Sequence, residues 1–177
     1  MIRPLRYLHF FKIPQKEKKY VARKLIGYSS EQMYSVVSDV KNYRQFLPFC
    51  TQSIILECKD DVIYANLEIG FPPIVENYTS KVLLIRPHMV HAVGLDGRLF
   101  HSLETVWKFA PGLKSNPQSC IVDFSVRFEF KSVIHKQLAS MFFDKVVMQM
   151  ESAFFNEAKR RYGKESVPSH ILSYVNN

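Results

Sequence analysis

Lys131–Tyr162, KSVIHKQLASMFFDKVVMQMESAFFNEAKRRY, followed by Gly163, is the stretch that decides the fold. No glycine or proline interrupts it, and Gly163 stands where a helix C-terminus would stop. Ser132 is placed to cap the start, and Lys159, Arg160 and Arg161 lie in the last turns, where cations oppose the helix dipole. The spacing predicts one long helix with two apolar stripes. Ile134, Leu138, Met141, Met148 and Phe155 form one; Phe143, Val147, Met150 and Phe154 form the other. At about 100° per residue the two stripes fall on nearly opposite sides. Leaving the second stripe in water would forfeit about 1.5–3 kcal/mol per side chain, comparable in sum to the whole stability of a domain. Its cover must be a wrapping sheet, an apolar ligand, a membrane surface or another subunit.

Upstream of the helix the chain reads as strands. Cys120, Val122, Phe124, Val126, Phe128 and Phe130 alternate with polar residues, the signature of a half-buried strand. Leu103, Thr105, Trp107 and Phe109 share a face of the strand before it, and Ile63, Ala65, Leu67, Ile69 and Phe71 share a face of another. Strands are also predicted at 20–28, 53–57, 74–85 and 89–93, with Asp96-Gly97 as a hairpin turn. Between the first two lie a short helix capped by Ser29 or Ser30 and a second short helix or turn ending at Pro48. Short connections argue for a single antiparallel sheet with helices on one side, an α+β architecture. A sheet of this length must curl, which leaves a cavity between it and the long helix.

The 177 residues suffice for one sizeable core, and 47% of them are apolar. The domain is expected over 19–163, between a basic segment at 1–18, free of acids over residues 1–16, that resembles a mitochondrial transit peptide and a polar, loosely held tail at 164–177. No apolar run is long enough to span a membrane. The net charge of +8 collects largely near the two ends, so a solvated face and a targeting segment account for it, and nucleic acid is disfavoured as a partner. Cys50, Cys58 and Cys120 have neither metal-ligand spacing nor an even count, so buried free thiols are expected. No nucleophile elbow, phosphate loop or HExxH occurs, and His88, His91, His101 and His135 are scattered. Catalytic and metal-binding residues are expected to be none.

Several stretches together resemble a known family. They are Tyr28-Ser29-Ser30-Glu31-Gln32-Met33-Tyr34, Val36-Val37-Ser38-Asp39-Val40, Tyr43-Arg44-Gln45-Phe46-Leu47-Pro48-Phe49-Cys50, Gly70-Phe71-Pro72-Pro73 with Glu76, Tyr78 and Thr79, Pro87-His88-Met89-Val90, and Phe128 to Asp144. In order and spacing they are similar to the mitochondrial coenzyme Q-binding proteins of the START-like, polyketide-cyclase superfamily. The resemblance implies a helix-grip fold, in which a curved antiparallel sheet wraps the C-terminal helix. It implies ubiquinone, or a polyprenylated intermediate, as a bound ligand rather than a catalytic cofactor. It further implies a carrier or chaperone role in respiratory electron transport and quinone biosynthesis, at the matrix side of the inner mitochondrial membrane. Respiratory-chain or quinone-biosynthesis assemblies are the implied partners. A ribosome- or RNA-associated regulator, as among bacterial relatives, and a cyclase-like enzyme are the alternatives.

Such a ligand needs a mostly apolar cavity. Strand parity and the second stripe nominate Leu67, Ile69, Phe71, Leu103, Trp107, Val122, Phe124, Phe143, Val147 and Met150 as its lining, with Trp107 serving equally well as plain core. Tyr78 and His91 are the side chains considered for a hydrogen bond to a quinone carbonyl, an ordinary structural role being the alternative. Phe71, Pro72 and Pro73 are read as an apolar lip at the membrane.

Overall fold

The alternation that marks Cys120–Phe130 as a strand continues through its neighbours, because each inward apolar residue needs a partner across the ladder. The computed structural model describes residues 17–71, 74–131 and 133–176, the side chains of 71, 74, 133–142 and 176 excepted. In chain order the strands are β1 (Glu17–Ile26), β2 (Cys50–Lys59), β3 (Val62–Phe71), β4 (Ile74–Ile85), β5 (Met89–Gly94), β6 (Phe100–Pro111), β7 (Cys120–Phe130) and β8 (His170–Asn176). The helices are α1 (Ser30–Val37), a 3-10 turn (Val40–Asn42), α2 (Tyr43–Phe46) and α3 (Val133–Tyr162). All strands belong to one antiparallel sheet ordered β2-β3-β4-β5-β6-β7-β1-β8. The chain is therefore α+β with the helix-grip arrangement, a curved sheet around a long C-terminal helix.

Local chemistry sets the boundaries. Ser29, not Ser30, caps α1: its hydroxyl accepts the Gln32 N–H at 3.3 Å while the Gln32 side chain accepts the Ser29 N–H at 2.9 Å, a capping box. Met33, Tyr34, Val36 and Val37 bury the inner face of this helix against α3 and β6. Gly163 ends α3 with φ of 81° and donates its N–H to the Lys159 carbonyl at 2.9 Å. That left-handed cap is one glycine takes without penalty.

Three expectations are corrected. The end of the chain is no loose tail: residues 170–176 form β8, which pairs with β1 and extends the sheet by an edge strand. Its apolar residues, Ile171, Leu172, Tyr174 and Val175, are all exposed, so no face of it shows the alternation that betrays a half-buried strand. Asp96-Gly97 is not a tight hairpin turn but part of a five-residue connection, 95–99, pinned to β4 by the Asp96 carboxylate on Thr79. Of the three thiols, Cys58 is exposed, while Cys50 and Cys120 are buried. The expected transit-like segment lies, up to residue 16, outside the described residues, as do Pro72, Pro73 and the capping residue Ser132.

Candidate functional site

Strand register brings the inward side chains of β3 to β7 onto one concave wall. Leu67 stands opposite Tyr78, Ile69 opposite Glu76, Trp107 opposite Phe124, and Leu103 opposite Phe128. From the other side α3 presents Phe143, Val146, Val147, Met150 and Phe154. Between wall and helix lies a cavity of about 230 Å³. Val40, Tyr43 and Leu47 close one end of it. There the Phe154 ring meets Tyr43 at 5.4 Å, Phe46 at 5.6 Å and Trp107 at 4.9 Å, a set of edge-on aromatic contacts.

Of the lining residues nominated from sequence, Leu67, Ile69, Leu103, Trp107, Phe124, Phe143, Val147 and Met150 all stand on the cavity wall. Val122 does not. It faces inward, but one ladder step beyond Trp107–Phe124, paired with Phe109, where Tyr34 of α1 packs against the Phe109 ring and the core is closed. The side chain of Phe71 lies outside the described residues, so the proposed lip of Phe71, Pro72 and Pro73 does as well.

The two-stripe reading of α3 needs a correction. The flank carrying Phe143, Val147, Met150 and Phe154 faces both the sheet and the cavity, while Phe155 of the other stripe also meets the sheet, its ring 6.3 Å from that of Trp107. The sheet curves around that flank and stands away from part of it. Of the other stripe, the two described side chains, Met148 and Phe155, are not fully buried. Met148 is 51% exposed, and Phe155 is half-buried with the Lys24 ammonium 5.2 Å above its ring. Lys24 is fixed there by Glu151 at 2.8 Å, so a long cationic side chain covers what a second layer would have covered. The side chains of Ile134, Leu138 and Met141 lie outside the described residues.

The polar groups of the cavity come chiefly from β4, whose inward positions are Glu76, Tyr78 and Ser80 in succession. Glu76, 6% exposed, accepts the Arg98 N–H at 2.7 Å and the Leu99 N–H at 2.8 Å, one on each carboxylate oxygen. The Tyr78 ring leans edge-on against Phe100 at 5.3 Å, and burial, reinforced by the charges of Cys50 and Glu76, pushes its pKa upward. Its hydroxyl has no hydrogen-bond partner among the described residues. Tyr43, whose pKa is also raised by burial, has spent its proton on the Val37 carbonyl. Cys50 reaches the wall, but burial pushes its thiol up to about 11, so it is no nucleophile at neutral pH.

His91 is not in the cavity. It sits between Val90 and Ala92, which face inward, and therefore points to the outer surface, where its Nε2 meets Glu104 at 2.8 Å. No periodicity in the sequence singles out Glu76 or Ser80 as wall residues. The signal was present in the register, since both stand opposite inward residues of β3, Ile69 and Ala65. No cluster of three or more metal-ligating side chains occurs among the described residues.

A chamber lined mainly by apolar and aromatic side chains, with a few hydroxyls and one carboxylate on a single strand, suits an apolar molecule carrying a small polar head. The family profile described as polyketide cyclase/dehydrase and lipid transport matches residues 26–155. The chain is 52% identical over 153 residues to the coenzyme Q-binding protein COQ10 homolog B, mitochondrial, of Xenopus laevis, covering 86% of this chain and 63% of that one. It is 46% identical over 167 residues to the coenzyme Q-binding protein COQ10, mitochondrial, of Drosophila melanogaster, covering 94% and 69%. The chain thus spans about two thirds of the length of these curated relatives. Among solved structures, the Zhui aromatase/cyclase of Streptomyces sp. R1128 superposes with a TM-score of 0.70 over 82% of this chain and 95% of that one; at 13% identity this likeness is one of fold alone. With this match over most of the domain, the chain belongs to the polyketide cyclase/dehydrase and lipid transport family.

Proposed function

We propose that the chain binds ubiquinone or a polyprenylated relative in the cavity between α3 and the sheet, and acts as its carrier or chaperone rather than as a catalyst. The observation that carries this reading is the cavity itself: apolar on the helix side, apolar on most strands, and polar along the inner face of β4. A volume of about 230 Å³ is below the ~300–1,000 Å³ typical of small-molecule sites. It therefore suits a ring head and the start of a prenyl tail, with the rest of the tail leaving through the opening. The names of the frog and fly relatives support the same ligand and a mitochondrial setting. In this reading the protein works at the matrix side of the inner membrane, with Phe71, Pro72 and Pro73 as an apolar lip, and supports respiratory electron transfer and quinone biosynthesis. No helix among the described residues is long and apolar enough to cross a membrane, so contact is peripheral in this reading.

The test is extraction. The purified chain is treated with organic solvent and the extract analysed by mass spectrometry, then delipidated protein is titrated with a short-tailed ubiquinone. Co-purification or saturable binding of a prenyl quinone is expected; absence of both overturns the reading. The ribosome-associated alternative rests on the net charge of +8 and on the resemblance to bacterial ribosome-association proteins. It predicts cosedimentation with ribosomes that weakens steeply as salt rises.

A further inference from the structure

The inward face of β4 does more than add polarity to a greasy chamber. Glu76, Tyr78 and Ser80 occupy consecutive inward positions of one strand, and all three line the cavity. The Glu76 carboxylate is buried, and each of its oxygens accepts one backbone N–H, from Arg98 and from Leu99. Those two bonds hold the carboxylate in place and leave further lone pairs unused, since a carboxylate offers about four acceptor sites. Two positions along, the Tyr78 hydroxyl has no partner among the described residues and can both donate and accept.

An ionised carboxylate only accepts hydrogen bonds. The ring oxygens of an oxidised quinone also only accept. The ring hydroxyls of the reduced quinol donate. A quinone oxygen brought to Glu76 sets acceptor against acceptor in a mostly apolar chamber, whereas a quinol hydroxyl at the same place forms a charge-assisted hydrogen bond. Tyr78 meets either form, because its hydroxyl donates to a carbonyl and to a quinol oxygen alike. We infer that Glu76 makes the cavity selective for the reduced, quinol form of its prenyl quinone, with Tyr78 as a donor that orients the head in both redox states. The inference rests on the quinone-binding reading above, and it assigns that site a redox preference.

The experiment compares the two redox forms of one short-tailed probe, decylubiquinone and decylubiquinol, bound to the full chain under argon and followed by calorimetry. The quinol is expected to bind at least about tenfold more tightly, the scale of one charge-assisted hydrogen bond. Glu76→Gln, whose amide donates, brings the ratio to one or reverses it. Tyr78→Phe weakens both forms by a similar factor and leaves the ratio standing. A second readout needs no variant. A tenfold preference for the quinol raises the two-electron midpoint potential of the bound probe by about 30 mV relative to the free probe. Equal affinities, a preference for the quinone, a ratio unmoved in Glu76→Gln, or a midpoint that is unshifted or lowered overturns the selectivity while leaving quinone binding intact. Failure of both redox forms to bind overturns the quinone reading, and the selectivity with it.

Discussion

Single residues fix where α3 ends relative to the rest of the chain. The Glu157 carboxylate, 4% exposed, receives Nε and Nη2 of Arg160 and Nε of Arg161, each at 2.7 Å. Arg161 also reaches Asp39 at 2.7 Å, which ties the last turn of the helix to the segment after α1. The hydrogen bond from Arg160, against an opposing cost of burial and with Arg161 adding to it, lowers the pKa of Glu157 from 4.5 to about 2. A carboxylate held below its ordinary value stabilises the fold fully above that value and loses the contribution as protonation proceeds in the folded state. The stabilisation is thus complete above pH 4.5 and disappears as pH falls toward about 2. Arg160 is 70% exposed, so solvent screening weakens its share. Glu157→Gln is expected to cost about 1–2 kcal/mol at pH 7. Urea unfolding from pH 7 down to pH 2 checks this: the gap between the two proteins closes across that acid window, and a gap that is constant with pH contradicts the assignment.

At the scale of elements, the cavity depends on α3 and β4 meeting across a gap that their side chains do not fill. Val147 sits on the helix wall of that gap and is 7% exposed. In Val147→Trp the indole has about 230 Å³ to enter, so the usual cost of overpacking, ~1–3 kcal/mol, is largely avoided. The expected result is loss of quinone binding with the thermal midpoint moved by less than about 4 °C. Met148→Ala, on the exposed side of the same turn, leaves both binding and midpoint unchanged. Binding that survives Val147→Trp in a folded protein places the ligand elsewhere. Legibility in the sequence followed burial. α3 could be read as one long helix because no glycine or proline interrupts it, and the inward faces of β3, β6 and β7 because each sets apolar residues against polar ones at a fixed period. The inner face of β4 could not: Glu76, Tyr78, Ser80 and Val82 alternate with Val75, Asn77, Thr79 and Lys81, and both sets mix polar with apolar. Only its register with β3 decides which set faces in, and Pro72-Pro73 between the two strands disguised that register. The sequence leaves the side of His91 open for a related reason, since its strand is too short to declare a face.

Across the whole molecule the sheet is open, with β2 at one edge and β8 at the other. β8 was invisible in the sequence because neither of its faces is buried, and the same exposure makes it dispensable to the core. Ile171 is 68% exposed and Tyr174 47%, and neither β1 nor β8 contributes a residue to the cavity. Its attachment is chiefly the backbone ladder to β1, with the Tyr174 ring set edge-on to Tyr20 at 5.3 Å. Each such hydrogen bond adds only about 0.5–1.5 kcal/mol net, and ordering the strand opposes much of the sum. A chain ending at Ser169 keeps the Ser166 N–H bonded to the Gly27 carbonyl at 2.9 Å, and with it the turn that leads away from α3. It is expected to remain folded, with a loss of about 2 kcal/mol and a midpoint lowered by roughly 4–8 °C. β1 then becomes the edge, and its cations, Lys18, Lys19, Arg23 and Lys24, are the kind of residue that keeps an open strand from pairing with another chain. The truncated protein should therefore bind a short-tailed ubiquinone as tightly as the full chain does. Circular dichroism melting together with a quinone titration tests both halves. An unfolded product would mean that β8 supports the core through β1, and a folded product that binds no quinone would mean that the last strand shapes the cavity from a distance.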